Sequence, residues 1–183
     1  MAQRSIRLAE LGLTPKQGQA AHISGLTVDS RAVKPGFLFA ALPGSRVHGA
    51  QFIETALGAG ASAILTDATG AKLAAASLSA STAALIVAED PRETLARAAA
   101  LWFGAQPERM VAVTGTNGKT SVATFTRQIW EALGHPAINI GTTGVEGAWT
   151  ARSSHTTPDP ITLQAMSSSP LPFYSSLFPH RHW

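Results

Sequence analysis

Residues 110–120, Met-Val-Ala-Val-Thr-Gly-Thr-Asn-Gly-Lys-Thr, decide how this chain is read. A short β-prone run, Val111-Ala112-Val113, meets a glycine-bearing turn, Gly115-Thr116-Asn117-Gly118, and Lys119, Thr120 and Ser121 then open an amphipathic helical pattern. Strand, glycine loop and helix in that order bring backbone N–H groups and the positive helix end onto one point, which suits a polyphosphate. Lys119 adds a mobile positive charge for the outer phosphates, and the Thr120 hydroxyl can hold a magnesium ion. The spacing departs from the G-x-x-x-x-G-K-[ST] pattern: where that pattern has its first glycine this chain has Val113, and the glycine present is Gly115. The alternative is a tight strand-to-helix turn whose glycines serve only the backbone. Gly, Lys and Thr at one junction favour a nucleoside-triphosphate site. In that site Gly115, Thr116, Asn117 and Gly118 form the loop, Lys119 meets the outer phosphates, and Thr120 is the metal ligand for Mg²⁺.

The bulk properties narrow the classes. The chain has 183 residues, 45% of them apolar, enough for a buried core and more than a disordered chain carries. The net charge is only +3, and no Lys/Arg cluster interleaves with aromatics, so nucleic acid is not an expected partner. With no cysteine there is no disulfide framework and no thiolate metal site. Glu10 and Gly12 interrupt the apolar run that a signal peptide needs, and no stretch has the length of a membrane span. A cytoplasmic protein without membrane insertion is expected; no protein partner is inferable.

Working outward, residues 5–13 read as a short helix and Leu26–Arg31 as a β-prone run ending in polar residues. Val33–Gly36 reads as a turn, Phe37–Leu42 as a buried strand, Pro43–Gly49 as a loop, and residues 51–59 as a helix. Ala63–Thr66 and Ala84–Val87 read as strands, with the intervening residues 68–82 unassigned. Asp90 is an N-cap, Pro91 the first helical residue, and Leu95, Ala98, Ala99 and Trp102 share one face. The break at Gly104–Pro107 is the expected domain boundary. Beyond the loop, Val122, Phe125, Ile129 and Leu133 form one stripe, Gly134 closes the helix, and Ala137–Ile140 is the next strand, a parallel-type crossover. Asp159 is expected to cap a helix from Ile161 to Met166. Residues 167–183 lack acids and periodicity, and suggest either out-of-frame coding or a disordered tail.

The expected fold is α/β: a small mixed-sheet domain over 1–105, then the first part of a parallel-sheet ATPase domain over 107–166, then the atypical tail 167–183.

These motifs resemble the Mur ligases, the amide-forming enzymes of peptidoglycan precursor synthesis. TGTNGKT is similar to their ATP loop, and Leu26–Arg31 with Pro35–Gly44 is similar to their UDP-binding domain. His155-Thr156-Thr157-Pro158-Asp159-Pro160 is similar to the MurE branch, which adds the third stem-peptide residue. The resemblance runs from about residue 5 to 166.

It implies UDP-MurNAc-L-Ala-D-Glu and an amino acid, diaminopimelate or lysine, as partners, and ATP with Mg²⁺ as cofactors held by Gly115, Thr116, Asn117, Gly118, Lys119, Thr120 and Ser121, with Lys119 and Thr120 as the catalytic pair. Val28 and Ser30 would lie against uracil and ribose, with Ser45, Arg46 and Val47 on the same nucleotide. His155, Thr156 and Thr157 would meet the muramoyl-peptide arm, or else simply form a helix-entry loop. Asp29 and Arg31 pair better as a brace than as catalysts. The implied reaction phosphorylates a D-glutamate side-chain carboxylate, and an amine displaces phosphate from the acyl phosphate. Further magnesium-holding residues, a carbamylated lysine and an amino-acid-binding domain would follow Met166, so this chain alone is expected to show negligible turnover. The alternatives are a MurF-type fragment, a non-catalytic module binding UDP precursor, and a truncated product that aggregates.

Overall fold

The structure, a computed structural model, describes residues 4–18, 22–104, 106–142, 144–152 and 158–168. It divides into two compact units, Met1–Gly104 and Ala105–Trp183.

The first unit is built on four strands: β3 (Gly25–Thr27), β4 (Phe37–Ala40), β5 (Ala63–Thr66) and β6 (Ala84–Val87). They pair in chain order and all in parallel, with Phe39 beside Ile64 and Ile64 beside Leu85. Parallel strands need covering on both faces, which is why Phe37–Ala40 and Ala63–Thr66 read as nearly continuous apolar runs. On one face Phe39, Ile64 and Leu85 pack with Ile53 and Ala56 of α1 (Ile53–Gly58) and Leu78 of α3 (Ala75–Ser79). Elsewhere α4 (Pro91–Phe103) packs on β5 and on the 3-10 turn Leu8–Leu11, burying Leu8, Leu11, Leu95, Ala98, Ala99 and Trp102. Arg4 lies over the Trp102 ring, 5.2 Å from its centroid. The sheet itself is wholly parallel rather than mixed; an isolated antiparallel bridge joins Gln17 to Leu85 on its edge strand β6.

Several local expectations hold. The Asp90 carboxylate accepts from the Arg92 and Glu93 N–H groups at 2.9 Å each, with Pro91 at the first helical position. Others need correction. Residues 5–13 are not one helix: β1 (Ile6–Arg7) pairs antiparallel with β2 (His22–Ile23), and the 3-10 turn ends at Gly12, whose φ of +69° suits glycine. The strand from Leu26 stops at Thr27 because the Asp29 carboxylate takes the Arg31 N–H and starts a 3-10 turn over Ser30–Ala32. The helix over 51–59 enters through a 3-10 turn, Gly49–Phe52, before α1. The unassigned stretch 68–82 folds as α2 (Ala68–Leu73) and α3, with Asp67 capping α2.

The second unit contains α5 (Lys119–Ala132), a sheet of β7 (Ile138–Gly141), β8 (Gly144–Gly147) and β9 (Ala151–Arg152), and α6 (Pro160–Ser167). Asp159 caps α6, accepting from the Ile161 and Thr162 N–H groups at 2.9 and 3.1 Å. The expected parallel crossover is not formed among the described residues. Val111-Ala112-Val113 is not a strand, Val111 is 60% exposed, and β7 pairs antiparallel with β8 instead. A hairpin needs only local chain, whereas a parallel pair needs a crossover and flanking strands. For the same reason the Val122, Phe125, Ile129 and Leu133 stripe is exposed, and α5 buries no residue. Most of the atypical tail, from residue 169 on, lies outside the described residues.

Phe39 is 1% exposed and Phe125 is 61% exposed. Truncating Phe39 to alanine should lower unfolding free energy by about 3–5 kcal/mol. Phe125→Ala should change it by less than about 0.5 kcal/mol. Urea denaturation of the two variants checks the contrast.

Candidate functional site

Every strand of the parallel ladder ends on the same rim. In open α/β sheets that carboxyl edge is where ligands bind, because the loops leaving it are free of strand pairing and helix starts gather there. Val28, Asp29 and Ser30 follow β3 directly, and Ser45, Arg46 and Val47 lie in the loop after the neighbouring β4. The five sequence-predicted nucleotide contacts of this unit, Val28, Ser30, Ser45, Arg46 and Val47, thus leave adjacent strands on one edge. Val28 and Ser30 are partly buried and Ser45, Arg46 and Val47 are exposed, Val47 by 50%. An exposed apolar Val47 beside polar Ser45 and cationic Arg46 offers an apolar surface for a base and donors for phosphate.

The rim is braced by side chains. Asp29 Oδ1 accepts from Arg31 Nε at 2.9 Å and Asp29 Oδ2 from Arg31 Nη2 at 2.8 Å, a two-point pair that holds the backbone around Ser30. The pair is exposed, so its effect is geometric more than energetic. The loop after β4 is closed by an antiparallel bridge between Pro43 and His48 and by the Gly49 N–H on the Leu42 carbonyl at 2.9 Å. Gly44 lacks a Cβ where one would sit 2.6 Å from the Val47 carbonyl oxygen, so only glycine permits this closure.

His48 and Asp67 were not singled out by the sequence. His48 Nε2 lies 3.1 Å from Asp67 Oδ1, and the Ala50 N–H donates to His48 Nδ1 at 3.0 Å. Asp67 also accepts from the Gly70 N–H at 2.6 Å as the cap of α2. The Gly70 N–H first, then His48, holds the Asp67 carboxyl below its ordinary range, against an opposing effect of burial. The available signal is Asp67 itself, an acid directly after the strand Ala63–Thr66 and just ahead of residues 68–82. Beside it on the rim is a crevice of about 420 Å³, lined by Lys16, Asp67, Ala68, Thr69, Val87, Ala88 and Glu89.

In the second unit, Gly115 (φ +143°) and Gly118 (φ +76°) adopt conformations that favour glycine, and Gly118 is the N-cap of α5. Among the described helices of eight residues or more, α4 and α6 carry aspartate caps whereas α5 has no side-chain cap. Its first N–H groups are thus left for an anion, beside the positive end of a 14-residue helix. A Cβ at Gly118 would meet nothing within 4 Å, and the loop from Gly115 to Ser121 is exposed, so it is open to a ligand. Lys119 Nζ turns back onto its own loop, donating to the Gly115 carbonyl and, at 3.2 Å, to the Thr116 carbonyl. The backbone donors, the lysine and the Thr120 hydroxyl fit a magnesium-bound triphosphate in chemistry. His155, Thr156 and Thr157 lie outside the described residues.

The Mur ligase family, catalytic domain, matches residues 22–103, and the Mur ligase middle domain matches residues 113–172. The chain is 50% identical over 147 residues to the UDP-N-acetylmuramoyl-L-alanyl-D-glutamate--2,6-diaminopimelate ligase of Bradyrhizobium diazoefficiens, covering 79% of this chain and 28% of the relative. It is 51% identical over 152 residues to the ligase of the same name from Brucella melitensis, covering 82% and 30%. A solved structure of a ligase of that name superposes with a TM-score of 0.69 at 26% identity, covering 90% of this chain and 33% of that one. MurF from Acinetobacter baumannii, at 20% identity and a TM-score of 0.50, shares the fold. The chain spans under a third of the length of these curated relatives.

The Asp67 carboxyl is more acidic folded than unfolded, so its stabilising effect is present above the unfolded value, near pH 4, and is lost as pH falls through the depressed folded value. Asp67→Ala should therefore be less stable than wild type at pH 7 by about 1–2 kcal/mol. That gap should close below about pH 4, measured by denaturation across a pH series.

Proposed function

The chain belongs to the Mur ligase family, and on that premise we propose that it is the precursor-binding and nucleotide-binding part of an ATP-dependent amide-forming ligase. The substrate of that ligase would be UDP-MurNAc-L-Ala-D-Glu, and the added amino acid diaminopimelate. One observation carries this reading: the residues about half identical to ligases of that name span both the sheet rim and the uncapped glycine loop. The diaminopimelate in those names favours it over lysine. A nucleotide-linked substrate together with ATP places the work in the cytoplasm.

We assign residues 1–105 to the precursor. Val28 and Ser30 take the uridine, Val47 lies against the base, and Ser45 and Arg46 take the polar end of the nucleotide. His155, Thr156 and Thr157 are assigned to the muramoyl-peptide arm. Residues 107–166 are assigned to ATP. Gly115 to Ser121 hold the phosphates through backbone N–H groups, and Thr120 holds Mg²⁺. Two of the three Lys119 Nζ donors are on the Gly115 and Thr116 carbonyls, and the third remains for an outer phosphate. When bound, ATP with its magnesium supplies the phosphoryl group that activates a carboxylate. Lys119 and the N–H groups of α5 stabilise negative charge on that group, and no side chain described here needs to act as nucleophile.

Calorimetry of the chain with MgATP and, separately, with UDP tests both halves. Saturable binding of each is expected; absence of MgATP binding would overturn the assignment of the loop. Lys119→Met should weaken MgATP by roughly 10–100-fold, the loss of a charged hydrogen bond, and leave UDP binding unchanged. Arg46→Ala should do the reverse, weakening UDP alone.

A further inference from the structure

We propose that His48 is a positioning residue for the nucleotide-binding loop Ser45–Val47; this rests on the reading of that loop given above. The Ala50 N–H donates to Nδ1, so Nδ1 carries no proton, and the imidazole is the neutral tautomer with its proton on Nε2. That Nε2–H donates to Asp67 Oδ1, which also caps α2. One ring therefore ties three things together. It ends the loop after β4, it caps the 3-10 turn Gly49–Phe52, and it anchors both to the helix that follows β5.

The fit around the ring is close. The His48 and Asp67 side chains are 14% and 22% exposed, so water competes little for either bond. A Cβ at Gly70 would collide with Thr66 Oγ1 and lie 2.7 Å from His48 Cε1, so glycine at 70 makes room for the imidazole. Thr66 is itself fully buried and held by a 2.9 Å bond to the Ala41 carbonyl, so it lends a fixed partner to the space that Gly70 leaves open beside the ring. The four residues inside the Pro43–His48 bridge, Gly44 to Val47, make no strand pairing of their own, so their direction depends on how firmly His48 closes the loop.

Two substitutions separate the bonds. His48→Asn can keep an acceptor for the Ala50 N–H, and His48→Gln can keep a donor for Asp67. UDP binding to the full chain is measured by calorimetry, and stability by thermal unfolding, for wild type, H48A, H48N and H48Q. H48A should weaken UDP about tenfold, the scale of one or two lost hydrogen bonds. H48N and H48Q should each recover part of that loss, and H48A combined with Ser45→Ala should be less than additive. A residue that only supports the fold would lower the unfolding temperature and leave UDP affinity within twofold; that result, or additive effects with Ser45→Ala, would overturn the proposal. If wild type does not bind UDP at all, the nucleotide reading of the loop fails, and the positioning role fails with it. If wild type binds and all three variants bind equally, only the role of His48 falls.

Discussion

The constraint on which the first unit depends is the parallel ladder from β3 to β6. Parallel strands cannot be joined by tight turns, so each connection must cross over the sheet. The apolar faces of the crossing helices then cover the ladder, as Ile53, Ala56 and Leu78 do. The same geometry sends every strand in one direction, so the chain emerges four times along one edge. Residues distant in sequence, such as Ser30, Val47 and Asp67, therefore share a rim without long-range design of their loops. The rim follows from the ladder, and the specific side chains are fitted onto it.

How much of this could be read from the sequence depended on where the signal resides. Elements fixed by local chemistry were legible: Asp90-Pro91 as a helix start, Asp159 as a cap, Ala63–Thr66 and Ala84–Val87 as buried strands. The glycine loop before α5 was legible because its chemistry is local too. What failed was pairing. Val111-Ala112-Val113 has the composition of a strand, but a strand exists only through its neighbours, and β7 takes β8. Residues 5–13 have helical spacing, yet Ile6–Arg7 finds a partner in His22–Ile23. Asp67 and His48 lay hidden for a related reason. Their meaning is a contact across 19 residues, and an alanine-rich stretch gives no periodicity to announce α2.

The two units also differ in how their helices are held. Helix α4 is fixed by burial, with five residues out of solvent, whereas α5 has none buried and relies on local terms. Those terms include the Arg127 guanidinium, which bridges Glu131 at 2.7 Å and the Asn139 side chain at 2.8 Å, tying the helix to β7. Helices supported mainly by such links open more readily than helices seated in a core.

The folded-back lysine of the glycine loop has a structural meaning. With Lys119 on the Gly115 and Thr116 carbonyls, the first residue of α5 is tied to the turn that precedes it. The position of the cation and the shape of the loop are therefore set together, and a change at either end of that link is felt at the other.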